Sequence, residues 1–277
     1  MDFKRIEWIF LVVFIGINIF LGIEIFQTPT LLSHSTTNGS SVDLKTEIKT
    51  DNIKVPKLSK EQYDGYYLAA KVNNNWEKQA IDQINSTFAT SYEENTLHVS
   101  LTQPIKVSHK HSKKLADIKK FVANDKNVFE GKKYEYVPQL SALSGTEEYI
   151  FDQKTDYGLT YSHEARLYIQ VKNNQIVSYT QTYTQTLEPV RERQTTISAQ
   201  SAIESLYTYS ELPNNSKVLW VKFGYSKLIK VRGSVIYIPS WTVAIENNNT
   251  KNITLKKVNA FTGKIIHEDT ADNKDLT

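Results

Sequence analysis

The sequence predicts an α+β protein carried behind a single membrane-spanning helix. Three observations predict it: one long apolar run near the N-terminus, helical spacing of apolar residues in the first half of the remainder, and strand alternation around a lone helix from Glu164 onward. The apolar run is IEWIFLVVFIGINIFLGIEIF, residues 6–26, in which only Glu7, Asn18 and Glu24 are strongly polar. At ~1.5 Å per residue it makes a helix of roughly 31 Å, the thickness of a bilayer core. Both glutamates lie near its ends, within reach of headgroups, while Asn18 sits deep enough to need a hydrogen-bond partner. Trp8 suits the interfacial belt. Lys4 and Arg5 precede the run and residues 27–44 contain no Lys or Arg, so the positive-inside bias puts the N-terminus in the cytoplasm and the rest outside the cell membrane. A cleaved signal peptide is the competing reading. The run is too long for one, and Gln27, Thr28, Pro29 and Thr30 offer no small-x-small cleavage pair, so an uncleaved anchor is expected.

Within the run Asn18 and Gly22 are four apart and share a face, which Leu11, Phe14 and Ile25 extend. This stripe is the candidate contact for another membrane helix. Gly16 and Gly22 are six apart, so there is no G-x-x-x-G motif, and a lone Asn is also tolerated by snorkelling or self-solvation.

Residues 27–54 are rich in Ser, Thr and Asn without a sustained apolar period and read as a flexible tether. Folded sequence is expected from Val55 to 268, enough for one large domain or two small ones, with a polar tail at 269–277. Ser59 and Gln62 form an S-x-x-Q capping box before Tyr63, Tyr66, Tyr67 and Ala70, which predicts a short helix. Trp76, Ala80, Ile81, Ile84 and Phe88 make a second helical stripe, and Leu115, Ile118, Phe121 and Val122, opened by Ser112, a third; residues 96–101 between them read as a strand. Leu167, Ile169 and Val171 alternate, Asn173 and Asn174 mark a turn, and 176–186 return as the second arm of a hairpin. Ser198 caps a helix with Ala199, Ala202, Ile203 and Leu206 on one face, ended by Pro213. Three strands follow at about 217–230, 235–246 and 253–266, with Pro239 predicting a bulge or an edge position in the middle one.

Composition narrows the chemistry. With 33 Lys plus Arg against 30 Asp plus Glu the chain carries +3, which is not the concentrated basic face a nucleic-acid binder needs. No Cys removes disulfides, thiolate metal sites and thiol nucleophiles, and it agrees with an exported protein. His109 and His111 would share one side of a strand, but nothing nearby completes a metal site and VSHKHSKK would repel a cation, so they read as a solvated basic strand end. His163 reads as structural or exposed. Glu93 with Glu94, Glu147 with Glu148, and the string Glu188, Arg191, Glu192, Arg193 read as solvated faces, because adjacent side chains point apart. The basic run 109–120 is interrupted by Asp117 and reads as a surface helix. No nucleophile-elbow, zincin or phosphate-loop pattern occurs, so no enzyme activity, cofactor or metal is expected. The 16 Tyr and 4 Trp suit strands and protein interfaces alike.

MDFKRIEWIFLVVFIGINIFL resembles the start of the YycI family, whose members begin Met-Asp-(Trp/Phe)-Lys-Arg and keep an Asn midway along a single membrane helix; Asp2, Phe3, Lys4, Arg5 and Asn18 match. ISAQSAIESLYTYSELPNNSKVLWVKFGYSKLIKVRGSVIYIPSWTVAIE and VNAFTGKII are similar to its C-terminal region. The resemblance implies a non-enzymatic, bitopic regulator of the WalK/WalR (YycG/YycF) two-component system of Gram-positive cell-wall metabolism. It implies a companion, YycH, and contacts with the sensor histidine kinase WalK through membrane helices and external domains. It also implies a two-lobed α+β ectodomain related to the C-terminal domains of YycH, which on this chain gives lobes at 55–160 and 161–268 behind a cytoplasmic tail at 1–5. VNAFTGKII resembles the end of PepSY-type modules as well, which keeps open an anchored extracellular peptide- or cell-wall-binding module.

Overall fold

The computed structural model describes residues 3–27, 40–72, 75–144 and 147–267. Residues 1–43 and the unit from Leu44 onward are separate bodies. The first carries α1 (Phe3–Gln27). Every side chain described in it, Glu7 to Phe20, is exposed. Among the described residues no helix is long and apolar enough to cross a membrane. The described side chains of α1 form a stretch shorter than the ~20 residues a bilayer core takes, and those of Ile6 and of 21–26 lie outside it.

The second body begins within α2 (Ser40–Thr50) and runs on through β1 (Asp64–Gly65), β2 (Leu68–Lys71), α3 (Trp76–Gln83), β3 (Ala89–Glu93), β4 (Thr96–Lys106), α4 (His111–Val122), β5 (Tyr134–Tyr136), α5 (Pro138–Ser141), β6 (Glu148–Thr155) and β7 (Gly158–Leu159). It continues with β8 (Arg166–Lys172), β9 (Gln175–Gln181), β10 (Glu188–Pro189), β11 (Gln194–Thr195), α6 (Ala199–Thr208), β12 (Ser216–Val231), β13 (Ser234–Asn247), β14 (Ile253–Asn259) and β15 (Ile265–Ile266).

Two antiparallel sheets organise these elements. The first has the order β3-β4-β9-β8-β6-β5, with β7 added to β6. In the second, β13 is the spine: β12 pairs along one side, while β2 takes Ser234 to Tyr237 and β14 takes Ser240 to Glu246 on the other. Pro239 falls where β13 changes neighbour, neither at a bulge nor on an edge strand as the sequence suggested. Its carbonyl accepts from Ala260 N at 2.9 Å on the β14 side. The N and C=O of a strand residue point the same way, so the missing N–H falls in the gap between β2 and β14 and costs no ladder bond.

Local signals account for much of this. The β8–β9 turn holds Asn173 and Asn174 at φ 51 and 57, and the β12–β13 turn holds Arg232 and Gly233 at φ 43 and 80, the left-handed pairs that two-residue hairpins require. Ser198 Oγ accepts from Ser201 N at 3.1 Å at the start of α6, and Ala202, Ile203 and Leu206 pack with Trp241, Val243 and Val258. On the first sheet Trp76 of α3 and Ile118 and Phe121 of α4 cover Leu97, Leu167, Ile169 and Tyr179.

Three expectations are corrected. The tether expected over 27–54 contains α2, because Leu44 and Ile48 give the helix an apolar stripe. Its end is a Schellman motif: Asn52 is left-handed (φ 55), Ile53 N bonds Ile48 O and Asn52 N bonds Lys49 O, each at 3.0 Å, and the two isoleucines bury together. The rest of that tether, 28–39, and the tail at 269–277 lie outside the described residues. The helix expected after Ser59 is extended chain and strand. Ser59 Oγ accepts from Glu61 N, two residues on at 3.0 Å, which makes a turn and not a helix cap, and Leu68 and Ala70 alternate inward where β2 joins β13. Finally, the two sheets are not successive lobes divided at 160: β1 and β2 pair with β11, β10 and β13, while β8 and β9 complete the first sheet.

The expected boundary is in fact the seam. Thr160 bridges Tyr225 in parallel, Tyr161 N donates to Tyr225 O at 2.8 Å, and Lys257 Nζ donates to Tyr161 O at 2.5 Å. Trp220 and Leu255 of the second sheet pack against Ile150, Tyr161 and Tyr168 of the first. A Cβ on Gly224 would lie 2.5 Å from Leu159 O, so only glycine allows this approach.

Burial pushes the phenols of Tyr134, Tyr161 and Tyr179 well above their ordinary 10.0. Because the folded values are raised, this stabilisation is complete below pH ~10 and is lost as pH climbs beyond it, when the unfolded chain ionises first. The urea midpoint should hold between pH 7 and 9 and fall above about 10, with a shallower fall in Tyr179→Phe. A midpoint unchanged to pH 11 would overturn this.

Candidate interaction surfaces

Steps of three and four residues bring positions 11, 14, 18, 22 and 25 to one face of α1. Leu11 and Phe14 are about half exposed, at 49% and 57%. Asn18 Nδ2 donates to Phe14 O at 2.8 Å. That bond is the self-solvation open to a lone Asn, and it uses one of the two amide N–H groups, leaving capacity for a neighbour. Gly22 adds no side chain to this face, and the side chain of Ile25 lies outside the described residues.

The polar groups weighed from the sequence fall differently. His109 sits in a bend and His111 opens α4, so they do not share a strand side. The basic run is the surface helix expected, with Ile118 and Phe121 inward and Lys114 paired to Glu147 at 3.0 Å. Glu148 instead lies 2.5 Å from Gln170 Nε2, so this neighbouring pair is split. Glu93 and Glu94 are both exposed, as expected of a solvated face, but they line one cleft together because Glu94 takes a left-handed turn at φ 46. Arg193 pairs with Asp64 at 3.0 Å and Arg191 lies over the Tyr67 ring at 5.0 Å, fastening the segment that enters β11.

The cleft that takes the two glutamates has about 420 Å³ and also holds His98, Glu148, His163 and Tyr168. His163 Nδ1 is 3.2 Å from the Tyr168 hydroxyl. At its floor Arg166 is buried against Asp152, Nε to Oδ1 2.5 Å and Nη2 to Oδ2 3.1 Å. Desolvation alone would lower the Arg166 pKa, yet the Asp152 carboxylate holds it well above the ordinary value. Among the described residues no three His, Cys, Asp or Glu side chains are grouped to hold a metal ion.

A surface the sequence did not mark lies at the end of β12. Leu228, Ile229 and Val231 are 43%, 51% and 45% exposed on the edge strand. Lys222, Lys227 and Lys230 along the same strand discourage self-pairing. KLIKV reads as ordinary strand; only the sheet order makes it an edge.

Among the described residues just three buried side-chain polar atoms, on Gln181, Ser216 and Thr242, lack a hydrogen bond. The unit from Leu44 is thus an α+β body with its described buried polar groups almost all hydrogen-bonded and an exposed apolar strip at the end of β12, and α1, in the other unit, exposes a second apolar strip. The chain belongs to the YycI family: that family's model, YycI protein, matches residues 33–261. Members are regulatory proteins of the WalK/YycG two-component system, not a known enzyme family, and the regulatory role comes with membership. No curated protein matches the chain. An uncharacterized protein from Eubacterium rectale is 10% identical, covering 79% of this chain and 92% of its own, with a TM-score of 0.48. The Bacillus megaterium YpeB C-terminal domain is 12% identical, covering 72% and 97%, with a TM-score of 0.35.

Proposed function

We propose that this protein is a membrane-anchored, non-enzymatic regulator which, with a YycH-like companion, modulates the sensor kinase WalK through contacts of α1 and of the external body. The N-terminus lies in the cytoplasm and the body from Leu44 outside. The family match over residues 33–261 carries the regulatory reading. The apolar sequence of α1, its flanking Lys4 and Arg5, and the Asn18 stripe support the anchor and the helix contact. A helix that packs differently against two kinase states biases their equilibrium by the difference in contact energy alone.

The test is co-purification of the full-length protein from solubilised membranes, with residues 6–26 native or replaced by poly-Leu. Kinase and companion should accompany the native chain, and the kinase should be lost with the replacement. Kinase retained on poly-Leu would assign recognition to the body. Neither partner on the native chain would favour an anchored peptide- or wall-binding module. Asn18→Leu should weaken kinase association about threefold, the size of an average interhelical hydrogen bond of ~0.6 kcal/mol. Unchanged association would remove Asn18 from the interface.

A further inference from the structure

Between α2, α6 and the segment following α2 lies a groove of about 420 Å³. Its floor is apolar: Ile48, Ile53 and Ile203 are buried, and Val55 and Leu58 are half-buried. Its rim is cationic: Lys45, Lys49, Lys57 and Lys60 line it and are all exposed. Glu204 is the one carboxylate in the lining, and its Oε1 already accepts from Gln200 Nε2 at 2.7 Å. The walls are fixed by backbone bonds. The Schellman turn ends α2, Lys54 N donates to Ser216 O at 2.9 Å, and Gln200 N donates to Ser59 O at 3.3 Å.

Elsewhere lysines find carboxylates: Lys114, Lys154, Lys251 and Lys256 have partners at 2.7 to 3.1 Å. Among the described residues none of the four rim lysines is in an ion pair. Lys45 and Lys49 also stand four apart on one helix, where like charges repel. Lys49 suits the C-terminal end of α2 and lysine stems can shield apolar surface, but neither effect gathers four cations outside any ion pair, from two stretches of chain, around one floor, so the arrangement answers to something that is both anionic and greasy.

We propose that this groove binds an anionic amphiphile, a lipid carrying a phosphate headgroup, with an acyl chain on the isoleucine floor and the phosphate among the lysines. An acidic helix from a protein partner is the competing occupant, and the lysines decide against it. Protein interfaces are depleted in Lys and enriched in Arg, whereas clustered lysines are the usual counterpart of anionic lipid surfaces. No arginine lines this rim. The volume also falls in the range of small-molecule sites. For its source of lipid the proposal rests on the membrane reading of α1.

The full-length protein, held in phosphatidylcholine nanodiscs, is titrated with dihexanoyl phosphatidylglycerol, dihexanoyl phosphatidylcholine, inorganic phosphate and an acidic amphipathic peptide. Binding is followed calorimetrically, and the site by hydrogen exchange in α2 and α6. The anionic lipid should bind at least tenfold tighter than the zwitterionic one and protect both helices. The combined variant K45Q/K49Q/K57Q/K60Q, which changes only exposed side chains, should lose that preference with an unaltered melting temperature, and Leu58→Glu should lower affinity for the lipid. Equal affinity for the two lipids, indifference to the lysine variant, phosphate binding as tightly as the lipid, or tighter binding of the peptide would each overturn the proposal. Retention of the chain in the nanodisc is read before any lipid is added, so a failed anchor and a failed groove give different results. Resistance of the full chain to alkaline extraction tests the anchor separately.

Discussion

Asp152→Ala should cost this protein roughly 3–5 kcal/mol, the range for breaking a buried ion pair from one side. The Arg166 side chain is 6% exposed and Asp152 fully buried, so the variant leaves a guanidinium charge under the sheet face with its bidentate partner gone. A typical domain has only about 5–15 kcal/mol in hand, so the loss should appear as a large fall in urea midpoint. The cost belongs to the orphaned charge and not to any net value of the pair. Asp152→Leu combined with Arg166→Met should therefore recover most of it. A loss under about 1 kcal/mol in the single variant would mean that Arg166 swings into the adjacent cleft and reaches water, with His163 and Glu148 as its new neighbours.

Gly224→Ala is the second large effect, at about 1–3 kcal/mol for overpacking. The added methyl would meet Leu159 O and Tyr161 Cδ2, each at 2.5 Å. Leu159 O is backbone and can retreat only by pulling on the adjacent Tyr161 N to Tyr225 O bond, so the strain falls on the seam between the sheets. Amide exchange should rise first at Tyr161 and around Tyr225, ahead of α4 on the far face of the first sheet. Exchange rising equally throughout would mean that the seam does not open independently. Gly233→Ala is the control for backbone effects: it is a left-handed turn residue (φ 80) with open space around it, so it carries conformational strain and no clash.

What could be read in advance was local. Ser198 caps its helix because a hydroxyl three residues before an amide needs no tertiary context, and Asn173-Asn174 turns because asparagine tolerates positive φ. Ala199, Ala202, Ile203 and Leu206 could be assigned to a core because one periodicity carried them all. What was misread depended on distant partners. The tyrosines around β1 and β2 suit helical spacing, but Leu68 lies opposite Tyr237, and the energy of that pairing overrides the weak cap signal at Ser59. The α2 stripe has only Leu44 and Ile48 in a polar stretch, so it becomes convincing only once Ile53, Ile203 and Leu206 are seen to meet it. Of the surfaces, the α1 stripe was visible as spacing. The lysine-rimmed groove was not, because Lys45 and Lys60 come together with Ile203 only after the chain has returned from α6.

The neighbour change along β13 also sets an order of assembly. β13 receives β2 on one stretch and β14 on the next, so residues 68–71 have only the short β10 pairing at Leu68 and Ala69 until 234–237 join them. The first sheet can close once synthesis has passed Gln181, whereas the second is complete only after Ile266. Pairing across such separations is slow, because the entropy of closing the long loop is lost before any contact compensates it. A nascent chain would therefore hold β2 with one side bonded only to the short β10 and the other side open until β13 emerges, and refolding should show an early phase confined to the first sheet and a late one in which the whole length of β13 becomes protected together.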